Sequence, residues 1–152
     1  MKSKIFKLIG VLVLIAIGYG AYMWFMPHQN VQGTKAFKTI EATALVNEFL
    51  ADKDAANEIY LDNEGESKVL VITGTIADIS KDQLNQQVIL LKNASDKMGV
   101  SCTFTVDTNS QVDKLEVGNT VKIKGVIRSG AEYDEDLDLT ENVIVEKSAL
   151  IE

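Results

Sequence analysis

One cysteine, one proline and one histidine occur in the 152 residues. The lone thiol, Cys102, excludes an intramolecular disulfide and any cage of paired thiolates, so the fold must stand on its hydrophobic core. His28 follows directly on Pro27, at the end of a long apolar run, where an interfacial or tether role is expected rather than catalysis. Basic charge is scarce as well. The chain carries a net charge of −7, and residues 1–27 hold three lysines and no acids, leaving 12 basic against 22 acidic residues in the remainder. Such a field repels phosphates and anionic head groups at long range, which disfavours nucleic acid as a partner. Nucleophile and base pairs, metal-ligand spacing and phosphate loops are missing, so no enzyme and no cofactor are expected.

What is present is a folded composition, 46% hydrophobic and 24% charged, with length for one domain once the terminal apolar run is set aside. That run, Leu8 to Met26, is uncharged for nineteen residues and as a helix spans roughly 28 Å, enough for a bilayer core. Lys2, Lys4 and Lys7 precede it, which predicts a single pass with Met1 in the cytoplasm and the domain outside. Leu8 and Met26 bound the expected anchor, and Tyr19, Tyr22, Trp24 and Phe25 suit its outer interface. The alternative is export with cleavage, because Leu8 to Ile17 has the length of a signal-peptide apolar region and Gly18-Tyr19-Gly20 offers small residues around a cut. Lipoprotein processing would need a cysteine just after the run, and Cys102 is far away. The expected division is an anchor over 1–27, a polar tether over 28–42 and a domain over 43–152.

Within the domain, Leu45, Val46, Phe49, Leu50, Ala56, Ile59 and Tyr60 recur at helical spacing, with Asp52 placed to cap a second segment. One bent helix or two short ones are expected. Five strand-like runs follow. Val69 to Ile79 carries Gly74 near its middle, where a bulge is expected, and Gln87 to Leu91 is the second. In the third, Val100 to Val106, Val100, Cys102, Phe104 and Val106 share the inward face, while Ser101, Thr103 and Thr105 share the outward one. Ser110 to Leu115 reads as a short helix capped by Ser110. In the fourth strand, Thr120 to Arg128, Lys122, Lys124 and Arg128 point outward, and a fifth around Leu137 to Val145 closes the set. The order predicts a mainly β fold: a five-stranded OB-fold barrel after a helical segment and an N-terminal transmembrane helix.

Several residues carry a resemblance: Pro27-His28 after the anchor, Asp54-Ala55-Ala56-Asn57 with Tyr60, Val71 and Gly74, Gly99-Val100-Ser101-Cys102 with Phe104, then Leu115, Gly118, Val121, Ile123, Lys124 and Gly125. With these the chain resembles the tRNA-anti-like OB-fold family, bacterial exported or membrane-anchored proteins, from the N-terminus to about Val145. The resemblance implies the barrel and an envelope location and brings no catalytic or ligand-binding residues with it.

Candidate surfaces are therefore read from the residues alone. Ser101, Thr103 and Thr105 with Lys122, Lys124 and Arg128 form the possible ligand face; the three cations would give modest, salt-sensitive phosphate binding, but the aromatic stackers of single-strand binders are missing. Glu132, Asp134, Glu135, Asp136 and Asp138 crowd together without the glycine and closing glutamate of a calcium loop, and an exposed acidic loop is expected. Cys102 fits an apolar strand face as a buried small hydrophobe. The resulting expectation is a non-enzymatic, membrane-anchored module of the bacterial cell envelope that binds a protein or glycan; the alternative is a single-stranded nucleic-acid binder.

Overall fold

The computed structural model describes residues 2–24, 30–62 and 67–152. The chain divides into two units, residues 1–30 and 31–152. The first is helix α1, Lys2–Trp24, whose leucine, isoleucine and valine side chains from Ile9 to Ile17 are exposed. Among the described residues no helix is long and apolar enough to cross a membrane. The apolar run of the sequence continues to Met26; Met26, Pro27 and His28 lie outside the described residues, as does the helix end expected at Pro27.

In the second unit, strand β1 (Lys38–Glu41) leads into α2 (Ala42–Ala51) and α3 (Lys53–Tyr60). The break between the helices is set by Asp52, an extended residue whose carboxylate accepts a hydrogen bond from the Ala55 amide at 3.0 Å. A side-chain oxygen there satisfies one of the donors that every helix start leaves unpaired. The helical stripe read from the sequence is therefore two short helices, with Leu45, Val46 and Phe49 of α2 and Ala56 and Tyr60 of α3 buried.

The barrel strands are β2 (Val69–Lys81), β3 (Gln87–Leu91), β4 (Val100–Phe104), β5 (Thr120–Ser129) and, after the small hairpin β6 (Glu132–Asp134) and β7 (Leu139–Glu141), β8 (Val143–Ile151). They run β2-β3-β4-β8-β5 and close through β2 against β5; only β4 and β8 are parallel, and β1 adds in parallel to the first half of β2. This is a closed five-stranded barrel, mainly β as expected. Ile72, Ile76, Ile89, Val100, Cys102, Phe104, Ile123 and Val145 fill it.

Four local expectations fail for identifiable reasons. Gly74 holds regular register with Val121, and the irregularity falls at Ile76–Asp78. The glycine at 74 instead eases a close approach: a Cβ there would lie 3.1 Å from the Cβ atoms of Ala42 and Leu91, so those neighbours would have to give by a few tenths of an ångström where α2 meets the sheet. β4 stops at Phe104 because Thr105 enters a turn closed by Thr108, and Val106 is left exposed. In place of the helix capped by Ser110 there is a 3₁₀ turn, Asn109–Gln111, preceded by Thr108. The last barrel strand begins at Val143 and not at Leu137; Leu137 and Leu139 are exposed in the hairpin. Within β8 the alternation breaks at Lys147, whose φ of 52° marks a bulge, and Ser148 and Ala149 are both buried after it.

Part of the expected tether is folded onto the barrel. Val31 is buried with Val69 and Val126 in a separate apolar cluster. The Gln32 amide donates to the Lys147 carbonyl at 2.9 Å, and the Lys124 ammonium donates to the Gln32 carbonyl at 2.9 Å.

A polar cluster locks the helices. The Tyr60 hydroxyl donates to the Glu48 carboxylate, and the Lys38 ammonium donates to Glu48 at 2.8 Å and to the tyrosine oxygen at 3.1 Å. Hydrogen bonds from Lys38 and then Tyr60 hold Glu48 below the usual glutamate range. The Glu48 hydrogen bond raises Lys38, and burial raises Tyr60. A depressed folded pKa stabilises above the unfolded value, and that stabilisation is lost as pH falls through the folded one. The raised Lys38 and Tyr60 lose theirs only on the alkaline side. Glu48→Gln is accordingly expected to cost about 1 kcal/mol near neutrality, a discounted value because the Glu48 side chain is 39% exposed. Urea titrations of both proteins should converge at acid pH, and a pH-independent gap would reject the assignment.

Candidate binding cleft

The outward face of β4 consists of Ser101 and Thr103, half-buried, alternating with the buried Val100, Cys102 and Phe104. Their cross-strand neighbours are Leu90, Ile144 and Val88, so no aromatic platform forms on this face. Thr105 is drawn into its own turn, its hydroxyl 3.1 Å from that of Thr108. Lys122 and Lys124 stand on β5, two strands away across β8, which at ordinary strand spacing is about 9–10 Å. Lys122 is exposed, Lys124 is bonded to Gln32, and Arg128 pairs with Glu146 at 3.1 Å. The six residues of the expected ligand face are thus not gathered into one site, and two of the three cations are already engaged.

A concavity forms elsewhere, where three segments converge. Helix α2 supplies one wall, the loop from Ser95 to Met98 a second, and the start of the β6–β7 hairpin a third, enclosing about 590 Å³. Its floor is apolar, with Val46, Phe49, Met98 and Ala131 buried. Phe49 is fixed from two sides: its ring lies 5.7 Å from that of Tyr60, and at Gly130 any side chain would collide with it.

The rim is polar and charged. Lys53 and Glu132 pair across it at 2.6 Å. The Asp96 carboxylate accepts from the Thr43 hydroxyl at 2.6 Å, and Asn93 donates to the same hydroxyl at 2.8 Å, tying the Ser95–Met98 loop to α2. The Lys97 ammonium sits 4.9 Å from the centre of the Tyr133 ring, and the Tyr133 hydroxyl donates to Asp138 at 2.9 Å. An apolar floor with a few placed polar groups is the usual form of a ligand site.

The hairpin acids read from the sequence as an exposed acidic stretch, and five of them, Glu132 to Asp138, are exposed. Their pattern alone gives no sign that the same hairpin walls a cleft. Tyr133, the one aromatic set among those acids, was the available signal.

Cys102 is buried, and burial pushes its thiol up to about 12. A neutral, enclosed thiol is a poor nucleophile. Among the described residues no group of three metal-ligating side chains is gathered.

Comparison with solved structures gives a lipoprotein of Klebsiella pneumoniae whose name proposes nucleic-acid binding. It is 15% identical, covers 84% of this chain and 100% of its own, and superposes with a TM-score of 0.53. At that identity the match supports the shared fold. The Schizosaccharomyces pombe Stn1–Ten1 complex (16% identity, 65% of this chain and 74% of that one, TM-score 0.41) superposes more loosely. So does a Leishmania major protein whose name proposes an aspartyl-tRNA synthetase (13%, 82% and 22%, 0.42). No curated protein matches the chain. The family model named tRNA_anti-like matches residues 1–136, and on that extent the chain belongs to the tRNA_anti-like family.

Proposed function

We propose that this protein is a non-enzymatic binding module of the cell envelope, anchored by its N-terminal helix with the barrel outside the cytoplasm, and that it holds a protein or glycan partner in the cleft. The observation that carries this reading is the cleft itself, about 590 Å³ with an apolar floor and a charged rim. Anchoring is supported by the uncharged run Leu8 to Met26, the three lysines before it and the exposed apolar side chains of α1. A non-enzymatic role is supported by the enclosed Cys102. In the native protein this thiol is expected to resist iodoacetamide for hours and to react at once in urea; rapid native alkylation would reopen thiol chemistry.

The test combines membrane fractionation, protease protection of the barrel in intact and permeabilised cells, and in-cell crosslinking from a photoreactive residue at Leu50, which is 46% exposed on the rim. Recovery of a discrete crosslinked partner from membranes supports the reading. A protease-resistant barrel in cells with a permeabilised outer layer, or no crosslink dependent on that site, overturns it.

A second reading, single-stranded nucleic acid, is favoured by the exposed Lys122 on β5 and by the name given to the Klebsiella lipoprotein. Binding of an oligothymidylate of about 12 nucleotides at low salt, lost on Lys122→Glu, would establish it.

A further inference from the structure

The cleft's charge and its aromatic wall narrow the occupant. Two lysines, Lys53 and Lys97, face three acids, Asp96, Glu132 and Glu135, and the hairpin tip adds Asp134, Asp136 and Asp138. Lys53 is neutralised by Glu132, and Asp96 is occupied by Thr43. Within the hairpin the Asp134 carboxylate accepts from the amides of Asp136 and Leu137, and Asp138 accepts from Tyr133. The carboxylates of Glu135 and Asp136 have no partner among the described residues. Glu135 on the rim and Asp136 at the hairpin tip are therefore uncompensated negative charges on the same hairpin as the Tyr133 ring.

That face already carries a cation. Lys97 approaches the Tyr133 ring from the opposite wall, 4.9 Å from its centre, within the range in which an ammonium is attracted by a ring's quadrupole. Both side chains of the pair line the cleft.

We infer that the cleft receives a basic, partly apolar segment of a protein, with a lysine or arginine on Tyr133 beside Glu135 and Asp136 and an apolar neighbour on the Phe49–Met98 floor, and that Lys97 is the internal occupant this cation displaces. The inference rests on the binding-module reading and names its ligand class. A nucleic-acid strand brings phosphates to a negative rim, and a neutral glycan makes no use of the two unpaired carboxylates; both are outcomes of the test.

The experiment uses the full chain in nanodiscs of phosphatidylcholine, which has no net charge to attract a cationic peptide. Three probes are titrated while amide resonances are followed by NMR: the amidated hexapeptide Gly-Lys-Leu-Arg-Phe-Gly, its counterpart with glutamate in place of lysine and arginine, and the oligothymidylate. The basic peptide is expected to shift Tyr133, Lys97 and Met98, and added salt should weaken it. The Glu135→Lys, Asp136→Lys double variant, altered only at exposed positions, should bind about 10-fold more weakly. Lys97→Ala should bind about 2- to 5-fold more tightly, because the ring face is vacated. A purely structural Lys97 would leave affinity unchanged or reduce it. Equal binding of the acidic peptide, tighter binding of the oligothymidylate, or no shift in the cleft at millimolar basic peptide overturns the inference. The binding-module reading survives those results as long as the Leu50 crosslink still captures a membrane partner, and it falls with that crosslink.

Discussion

Phe49→Ala is expected to cost about 3–5 kcal/mol of folding free energy, the range for truncating a large aromatic in a core that cannot collapse around the loss. The ring is 1% exposed. It is held between Tyr60 of α3 and the backbone at Gly130, which belong to segments far apart in sequence. Neither neighbour is able to follow it: Tyr60 is fixed by Glu48 and Lys38, and residue 130 leads directly from β5 into β6. The void would open beneath the cleft and unseat α2 from the barrel. Urea denaturation followed by circular dichroism checks the figure, with Leu50→Ala as the control. Leu50 lies one position on and is 46% exposed, so its truncation should cost well under about 1 kcal/mol. Equal losses from the two would show that α2 contributes no more than surface packing.

Gly99→Ala is expected to cost about 1–3 kcal/mol, toward the upper end, because the added methyl meets backbone. It would collide with the Leu91 carbonyl oxygen and come within 2.8 Å of the Lys92 Cβ. The residue is also fixed through its own main chain: its amide donates to the Asn142 side chain at 2.9 Å, and its carbonyl accepts from the Val143 amide at 3.0 Å. A shift of Gly99 away from β3 therefore strains the junction where β8 begins and moves Met98 on the cleft floor. The double readout is thermal unfolding together with the Met98 methyl resonance. A stable variant with an unmoved methyl would mean that β3 yields more easily than its hydrogen bonding allows.

The barrel was legible because period-two alternation is a direct imprint of a sheet with one wet face. Val69 to Lys81, Gln87 to Leu91 and Thr120 to Ser129 were located to within about two residues, and Asp52 announced the helix break through its capping chemistry. Where alternation ceased to reflect burial, the reading failed. The fifth strand was expected around Leu137 to Val145, and the acids before Val143 blurred its start; its true course continues to Ile151 through Lys147, whose left-handed backbone reverses the phase so that Ser148 points inward where a strict period would place it outside. Among the described residues the buried Ser148 hydroxyl has no hydrogen-bond partner, a sign that backbone geometry, not side-chain preference, decides that position.

The candidate site was less legible than the fold. Alternation placed Ser101, Thr103, Lys122, Lys124 and Arg128 on the outward side, though it erred at Val106, which lies past the end of β4 and is exposed, and it is blind to strand order. Because β8 inserts between β4 and β5, the hydroxyls and the cations never meet. The cleft depends on three segments separated by dozens of residues, and nothing local in Phe49, Met98 or Tyr133 marks them as neighbours. Likewise Val31 and Gln32 read as tether, since their partners Val69, Val126 and Lys147 are known only once the barrel is closed.

The insertion of β8 between β4 and β5 also governs the order of assembly. Strands β2, β3 and β4 follow one another through short turns and are able to pair as soon as they emerge. The parallel pairing of β4 joins residues about 40 positions apart, Val100 with Val143, and such non-local contacts form slowly. Until Val143–Ile151 arrives, both β4 and β5 present an unsatisfied edge, which in a newly made or truncated chain is a template for joining another molecule. One nine-residue strand thus stands between a closed barrel and an aggregating sheet.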